Sequence, residues 1–327
     1  MNLLNHSRRR ASNQLVASFA NRFSESIATA INVVFARCHV SACVALTFAA
    51  GMGAYVTSAH ADEVYREIET KYIFGFTEGS GIGLEGEKEF SPDTVVNSGK
   101  RDGHYTATET KLKLEVTPNQ FVQFEFGPIV AYHNIQNVTG LDNLNTLAFA
   151  GFFGEFRYLL LDRSASSPLS LTLSIEPEWH NIDETSGQSV VNYGLETNLN
   201  GDLELLKNRA YLGFNLLYEP ERTLTQSGTE DEATLGISTA FAYRILPNVT
   251  IGAETWYLRH YDGMGFSAFT GDAVYVGPNL YVQLTPKMFA TFAWNTQVAG
   301  HEVGAPGNLD LADFSRNRFK IKASVEF

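Results

Sequence analysis

The chain has 327 residues, with 24 Lys and Arg against 36 Asp and Glu, for a formal net charge of −12. That balance excludes a nucleic-acid binder, which needs clustered basic residues to meet phosphates. Only two cysteines occur, Cys38 and Cys43, too few and too early in the chain to staple a fold.

Residues 1–61 have the pattern of a removable export leader. Arg37 and His39 precede an apolar stretch from Ser41 to Val56, which runs into Ala59-His60-Ala61, a small-x-small site with cleavage expected after Ala61. The apolar stretch is too short for a comfortable membrane helix. Residues 1–36, with Arg8-Arg9-Arg10, form an unusual extension to such a leader. Residues 62–327 are the expected mature domain. The leader removes five Arg and one Glu from the totals, leaving 19 basic and 35 acidic residues and a net of −16. Acidic loops of this kind suit cationic solutes or divalent cations, as well as simple hydration.

From residue 104 onward, apolar and polar residues alternate in segment after segment. Val122, Phe124, Phe126, Val130 and Tyr132 oppose Gln123, Glu125 and Gly127. Leu169, Leu171, Leu173, Ile175 and Trp179 oppose Ser170, Thr172, Ser174, Glu176 and Glu178. A period of two places one set on each face of a strand. The spacing predicts strands at about 104–117, 120–133, 146–161, 168–181, 189–205, 209–221, 232–246, 249–261, 271–285, 288–299 and 314–327. Each has roughly the length that crosses a bilayer at a tilt. A twelfth strand, needed if both ends of the barrel domain lie on one side, is expected between Glu67 and Phe90. That region reads either as one bent strand or as a strand plus a periplasmic or luminal segment.

The connections sort by length. Thr117-Pro118-Asn119-Gln120, Leu206-Lys207-Asn208-Arg209, Leu246-Pro247-Asn248 and Thr285-Pro286-Lys287 are short turns. Longer polar stretches lie between them at 134–145, 181–189, 220–232, 262–271 and 299–314. Short turns at one end and long loops at the other are how a closed antiparallel transmembrane β-barrel is built. The predicted fold is therefore all-β, a barrel of about 12 strands, with 10 or 14 as alternatives. Two aromatic belts are expected, Tyr132, Trp179, Tyr218 and Tyr257 toward the loops and Phe121, Tyr158, Phe289 and Phe327 toward the turns.

If the apolar faces meet lipid, the polar faces line the lumen. The expected pore-lining residues are Glu115, Glu125, Glu155, Arg157, Glu176, Glu178, Glu196, Arg244, Glu254, Lys320 and Lys322. Lys320 and Lys322 are expected to meet carboxylates across the closing seam, with Glu85, Glu87 and Glu89 as candidates. Bare charges do not survive in a dry interior, so this lining is either hydrated or mutually paired.

The final segment, Phe319-Lys320-Ile321-Lys322-Ala323-Ser324-Val325-Glu326-Phe327, alternates and ends on an aromatic. It resembles the C-terminal strand of Gram-negative outer-membrane β-barrels, whose terminal Phe is part of the signal read by the assembly machinery. As a whole, residues 104–327 resemble small porin-like barrels, including those that pass acidic oligosaccharides. Such channels tend to line their pores with Arg and Lys, whereas this lumen is rich in Glu and suits cationic or neutral solutes better. The resemblance implies an outer-membrane location, contact with outer-membrane lipid and lipopolysaccharide, recognition of Phe327 by the barrel-assembly machinery, and small solutes as cargo.

Three functions follow from this reading: a porin-like channel, a plugged structural barrel, or an outer-membrane hydrolase with a His/Asp site at the rim. His133, His180 and His260 stand where strands meet long loops, with Asp142, Asp183 and Asp262 nearby. No catalytic motif of the omptin, phospholipase or deacylase families matches these positions, no metal-ligand spacing is present, and no cofactor is implied. The channel is the preferred expectation.

Overall fold

In the computed structural model, the described residues are 68–327, apart from 165–166 and 226–227. The proposed leader and its cleavage after Ala61 lie outside them. The described residues belong to one compact unit. Its twelve strands are β1 Lys88–Ser98, β2 His104–Asn119, β3 Val122–Gln136, β4 Leu144–Leu161, β5 Leu169–Ile182, β6 Ser189–Leu206, β7 Ala210–Thr225, β8 Gly228–Leu246, β9 Val249–Asp262, β10 Phe269–Thr285, β11 Met288–Glu302 and β12 Asn317–Glu326. Each pairs antiparallel with its sequence neighbours, and β1 pairs with β12 to close the barrel.

The two-residue period separates the faces as expected. Phe124, Phe126, Phe152, Phe156, Ile237, Phe292, Trp294 and Ile321 are exposed on the outside. Gln123, Glu125, Thr172, Ser174, Ser238, Glu254 and Asn295 are buried within. An outer surface this apolar is stable only against hydrocarbon, and closure leaves no strand edge with unpaired backbone groups. No helix among the described residues is long and apolar enough to cross a membrane; the crossing is made by strands.

Four details differ from the sequence reading. The first strand takes only Lys88–Phe90 from the region expected to hold it and continues to Ser98. Pro92 sits inside it, where the registered pairing with β12 breaks between Phe90↔Val325 and Asp93↔Lys322. Proline has no N–H to give, so the ladder is interrupted there, and the pattern is hard to read as a strand. Residues 220–232 are not a free loop. β7 and β8 remain paired through Glu221↔Glu232 to Thr225↔Gly228, and Arg222 Nε bonds Asp231 Oδ1 at 2.7 Å across the hairpin. Phe289 is not part of the outer belt but points inward and stacks on Tyr72, with ring centroids 4.6 Å apart. The seam also pairs differently in part. Lys320 Nζ lies 3.4 Å from Asp93 Oδ2, a neighbour of the expected carboxylates, while Lys322 is within electrostatic reach of Glu89 as expected.

Gly86 and Glu87 already bond the backbone of Thr117 in β2, but residues 68–85 do not join the wall. They enter the lumen as a folded hairpin, and Gly79 N–H donates to Lys71 O at 3.2 Å where the chain doubles back. Ile73 and Phe74 are fully buried, packing with Tyr72, Tyr211, Ala240, Ala242 and Tyr281. This is the luminal alternative of the sequence reading.

Candidate functional site

The lumen is built from two parts, the wall left by strand alternation and the hairpin held within it. They meet through two apolar clusters, around Phe74 and around Phe76, and through a dense set of polar contacts. Lys71 Nζ donates to Glu115 Oε2 at 3.0 Å and to Gln123 Oε1 at 3.1 Å, and pairs with Glu125. Tyr72 Oη donates to Glu115 Oε2 at 2.5 Å. At the tip, Phe76 N–H and Thr77 N–H donate to the two oxygens of Glu254 at 2.9 and 2.8 Å. On the return, Glu78 accepts from Arg157 Nη1 at 2.5 Å, and Gly79 O accepts from Arg157 Nη2 at 3.0 Å. Ser80 N–H and Oγ and Thr70 Oγ1 all donate to Asp202 Oδ2, at 2.8, 2.7 and 2.6 Å. Charged hydrogen bonds of this kind are stronger than neutral ones, and each leaves a costly orphan if its partner is lost.

Glycine makes this threading possible. A Cβ on Gly79 would lie 2.0 Å from Thr70 O, and one on Gly75 would lie 2.4 Å from Glu254 Oε1 and 2.5 Å from Ala293 Cβ. The free space between the hairpin and Thr291, Lys320 and Lys322 of the wall is about 10 Å³, which is room for about one water molecule.

A second body descends from the opposite rim. The connection between β11 and β12, residues 303–316, folds onto the inner wall. Tyr275 Oη bonds Ser315 O, Gln297 Nε2 donates to Asp310 O at 2.8 Å, and Lys100 Nζ donates to Ala312 O at 2.7 Å. Its Phe314 packs on the cluster of Phe76, Leu217, Trp256, Leu258, Ala273, Tyr275 and Ala293. Hairpin and loop thus meet in one apolar layer, and the Arg318 guanidinium stands 4.6 Å from the Phe76 ring.

Toward the rim on the β2–β7 side, the wall turns acidic. Lys111 Nζ bonds Glu176 Oε1 at 2.6 Å and pairs with Glu178. Glu178 Oε2 lies 2.6 Å from His180 Nε2. Glu196, Glu219 and Glu221 on β6 and β7 are partly exposed.

The eleven expected pore-lining residues therefore divide. Glu115, Glu125, Arg157 and Glu254 grip the hairpin directly. Glu155 accepts from Arg157 at 3.1 Å. Lys322 Nζ lies 3.5 Å from the centre of the Tyr72 ring, and Lys320 meets Asp93. Glu176, Glu178 and Glu196 stand in the acidic region, with Glu196 accepting from Asn198. Arg244 donates to Asn208 O at 3.1 Å and to Pro247 O at 2.5 Å, which ties it to the turns. Sequence reasoning missed Asp202 and Asn215. Both hold the hairpin and share the inward parity of β6 and β7, which was the available signal. It also missed Lys71, whose role depends on a segment with no regular structure.

The rim histidines are separate. His133 Nε2 is 2.9 Å from Glu184 O. His260 Nδ1 is 2.9 Å from Thr270 Oγ1, but that hydroxyl gives its single proton to Asp313 Oδ2 at 2.9 Å. His260 must then donate to Thr270 rather than accept from it, the reverse of what an activated nucleophile needs.

A closed twelve-stranded barrel with an apolar belt and a polar interior defines the class: an outer-membrane β-barrel. The chain belongs to DUF6662, a family of unknown function whose pattern matches residues 66–327. Its fold is similar to that of the COG4313 outer-membrane channel from Pseudomonas putida F1, at 7% identity and a TM-score of 0.53, over 76% of this chain and 97% of that one. More distant are the NanC porin (14% identity, TM-score 0.43, 72% of this chain and 98% of that one) and the KdgM porin (13%, 0.40, 73% and 99%). No curated protein sequence matches the chain.

Proposed function

We propose that this protein is a porin-like channel for small hydrophilic solutes, cationic or neutral, held closed by residues 68–87. The observation that carries this reading is the chemistry of the wall behind the hairpin. Glu115, Glu125, Asp202 and Glu254 are buried and acidic, and each bonds residues of the irregular segment 68–87, alongside wall partners such as Lys113 and Arg163. A barrel filled for structure alone has no use for buried carboxylates, whose desolvation is costly. A wall that is at times wet has every use for them. Withdrawal of the hairpin would leave a lumen of twelve strands, wide enough for small solutes and narrower than that of sixteen-stranded porins.

The test is conductance in planar bilayers. The full chain should pass current rarely, while a variant lacking residues 68–82 should give steady steps with cation preference. If the deletion variant folds, judged by its heat-modifiable mobility in gels, and still conducts no ions, the channel reading fails and the plugged structural barrel stands.

A further inference from the structure

We infer that Glu109, His180 and Glu184 form a binding site for one first-row divalent metal ion, of the Zn²⁺ class, at the rim of the lumen. The site goes beyond the channel reading and does not depend on it. Its three residues come from β2, β5 and the 183–188 loop, and one ligand atom of each lies within 4.8 Å of the others.

The observation that points to a ligand is His180. Its side chain is 3% exposed, and its Nδ1 has no hydrogen-bond partner. Nε2 lies 2.6 Å from Glu178 Oε2. An ionised carboxylate only accepts, so Nε2 bears the hydrogen and, in the neutral ring, Nδ1 is left with a bare lone pair. A metal-binding histidine is commonly oriented in this way, with its far N–H given to a carboxylate. The nearest ionic atom to Nδ1 is Glu109 Oε2 at 3.9 Å, too far for a hydrogen bond.

That gap suits an ion between the two. Ligand atoms about 2.1 Å from one tetrahedral Zn²⁺ stand about 3.4 Å apart, so a closure of a few tenths of an ångström would complete the contact. Glu109 has no Lys or Arg partner within 4 Å among the described residues, because Lys111 is drawn to Glu176 and Glu178. Glu184 Oε1 approaches the ring from its Nε2 side, at 3.5 Å, and its side chain is 55% exposed. It must therefore swing toward Nδ1 to join the ion, a movement open to a loop residue that also gives the ion a path from solvent. One imidazole and two carboxylates suit Zn²⁺ and its first-row neighbours, whereas Mg²⁺ and Ca²⁺ prefer oxygen alone.

The full chain, refolded in detergent and stripped with chelator, is titrated with ZnCl₂ by calorimetry, with bound metal counted by elemental analysis. One equivalent is expected, and Glu184→Gln should weaken binding at least ten-fold. Because Glu184 lies on an exposed loop, that variant should keep the heat-modifiable mobility of the folded barrel. X-ray absorption of the zinc-loaded protein should show a nitrogen neighbour near ~2.0–2.1 Å that is lost in His180→Gln. The proposal is overturned if the wild-type chain takes up no stoichiometric zinc. It is equally overturned if folded Glu109→Gln and Glu184→Gln variants bind as tightly as the wild type.

Discussion

At the scale of single residues, Gly79 sets how closely the two limbs of the hairpin pack. Its Cα lies against the Thr70 carbonyl so closely that any side chain would drive the two limbs of the hairpin apart. Gly79→Ala should therefore loosen the hairpin while leaving the wall untouched, since no ladder hydrogen bond depends on it. Limited proteolysis of the 68–87 segment, coupled with gel mobility, reads this directly: cleavage should accelerate with the barrel still folded. Unchanged cleavage would mean that the limbs separate freely already. Buried carboxylates act in the same place by a different route. Glu254 accepts two backbone N–H groups, and leaving such donors buried without an acceptor costs about 1–3 kcal/mol each.

At the scale of elements, the hairpin and the 303–316 loop both pack inside the barrel and share one apolar cluster, to which they contribute Phe76 and Phe314. The loop carries its own pH response. Burial, with Asp313 adding to it, raises Asp310 to about 6. Its Oδ1 accepts from Ala312 N–H and Asp313 N–H, both at 3.1 Å. A carboxyl whose value is raised in the docked state is bound more firmly when protonated, so docking is strongest below the ordinary value of 3.8 and weakens as pH rises through about 6. Amide exchange at Ala312 and Asp313, corrected for intrinsic rates, should lose protection between pH 4 and 7. Asp310→Asn should flatten that dependence, and an unchanged profile in the variant would assign the response elsewhere. Lys100, lowered to about 8 by burial, acts above this window. The strands were legible because lipid outside and polar groups inside impose a strict period of two. The hairpin was not, because its conformation is set by Asp202, Glu254 and Arg157, residues far away in sequence.

At the scale of the whole molecule, a channel as proposed above would have its ion preference set by the acidic region on the β2–β7 side of the wall. Reversing one charge there, as in Glu176→Lys, should move the reversal potential of the hairpin-deleted barrel in a salt gradient toward the anion side. A potential that did not move would place the selective constriction away from β5. Glu176 also holds Lys111, so the variant sets two cations side by side. Folding yield should fall with it, which gel mobility measures.

The candidate site was partly readable in the same way as the fold. Parity placed Glu115, Glu125, Arg157, Glu176 and Glu254 inward, since a strand offers each side chain only two directions. It could not show that four of them meet the hairpin, while Glu176 stands at the rim. The sequence by itself determined the barrel, its closure and its two faces, because these follow from local alternation against two solvents. Only the tertiary structure decided what fills the lumen, which carboxylates grip it, and that β1 runs through Pro92 to Ser98. Those outcomes depend on contacts between residues tens to more than a hundred positions apart, where charge pairing and close glycine packing leave no periodic trace along the chain.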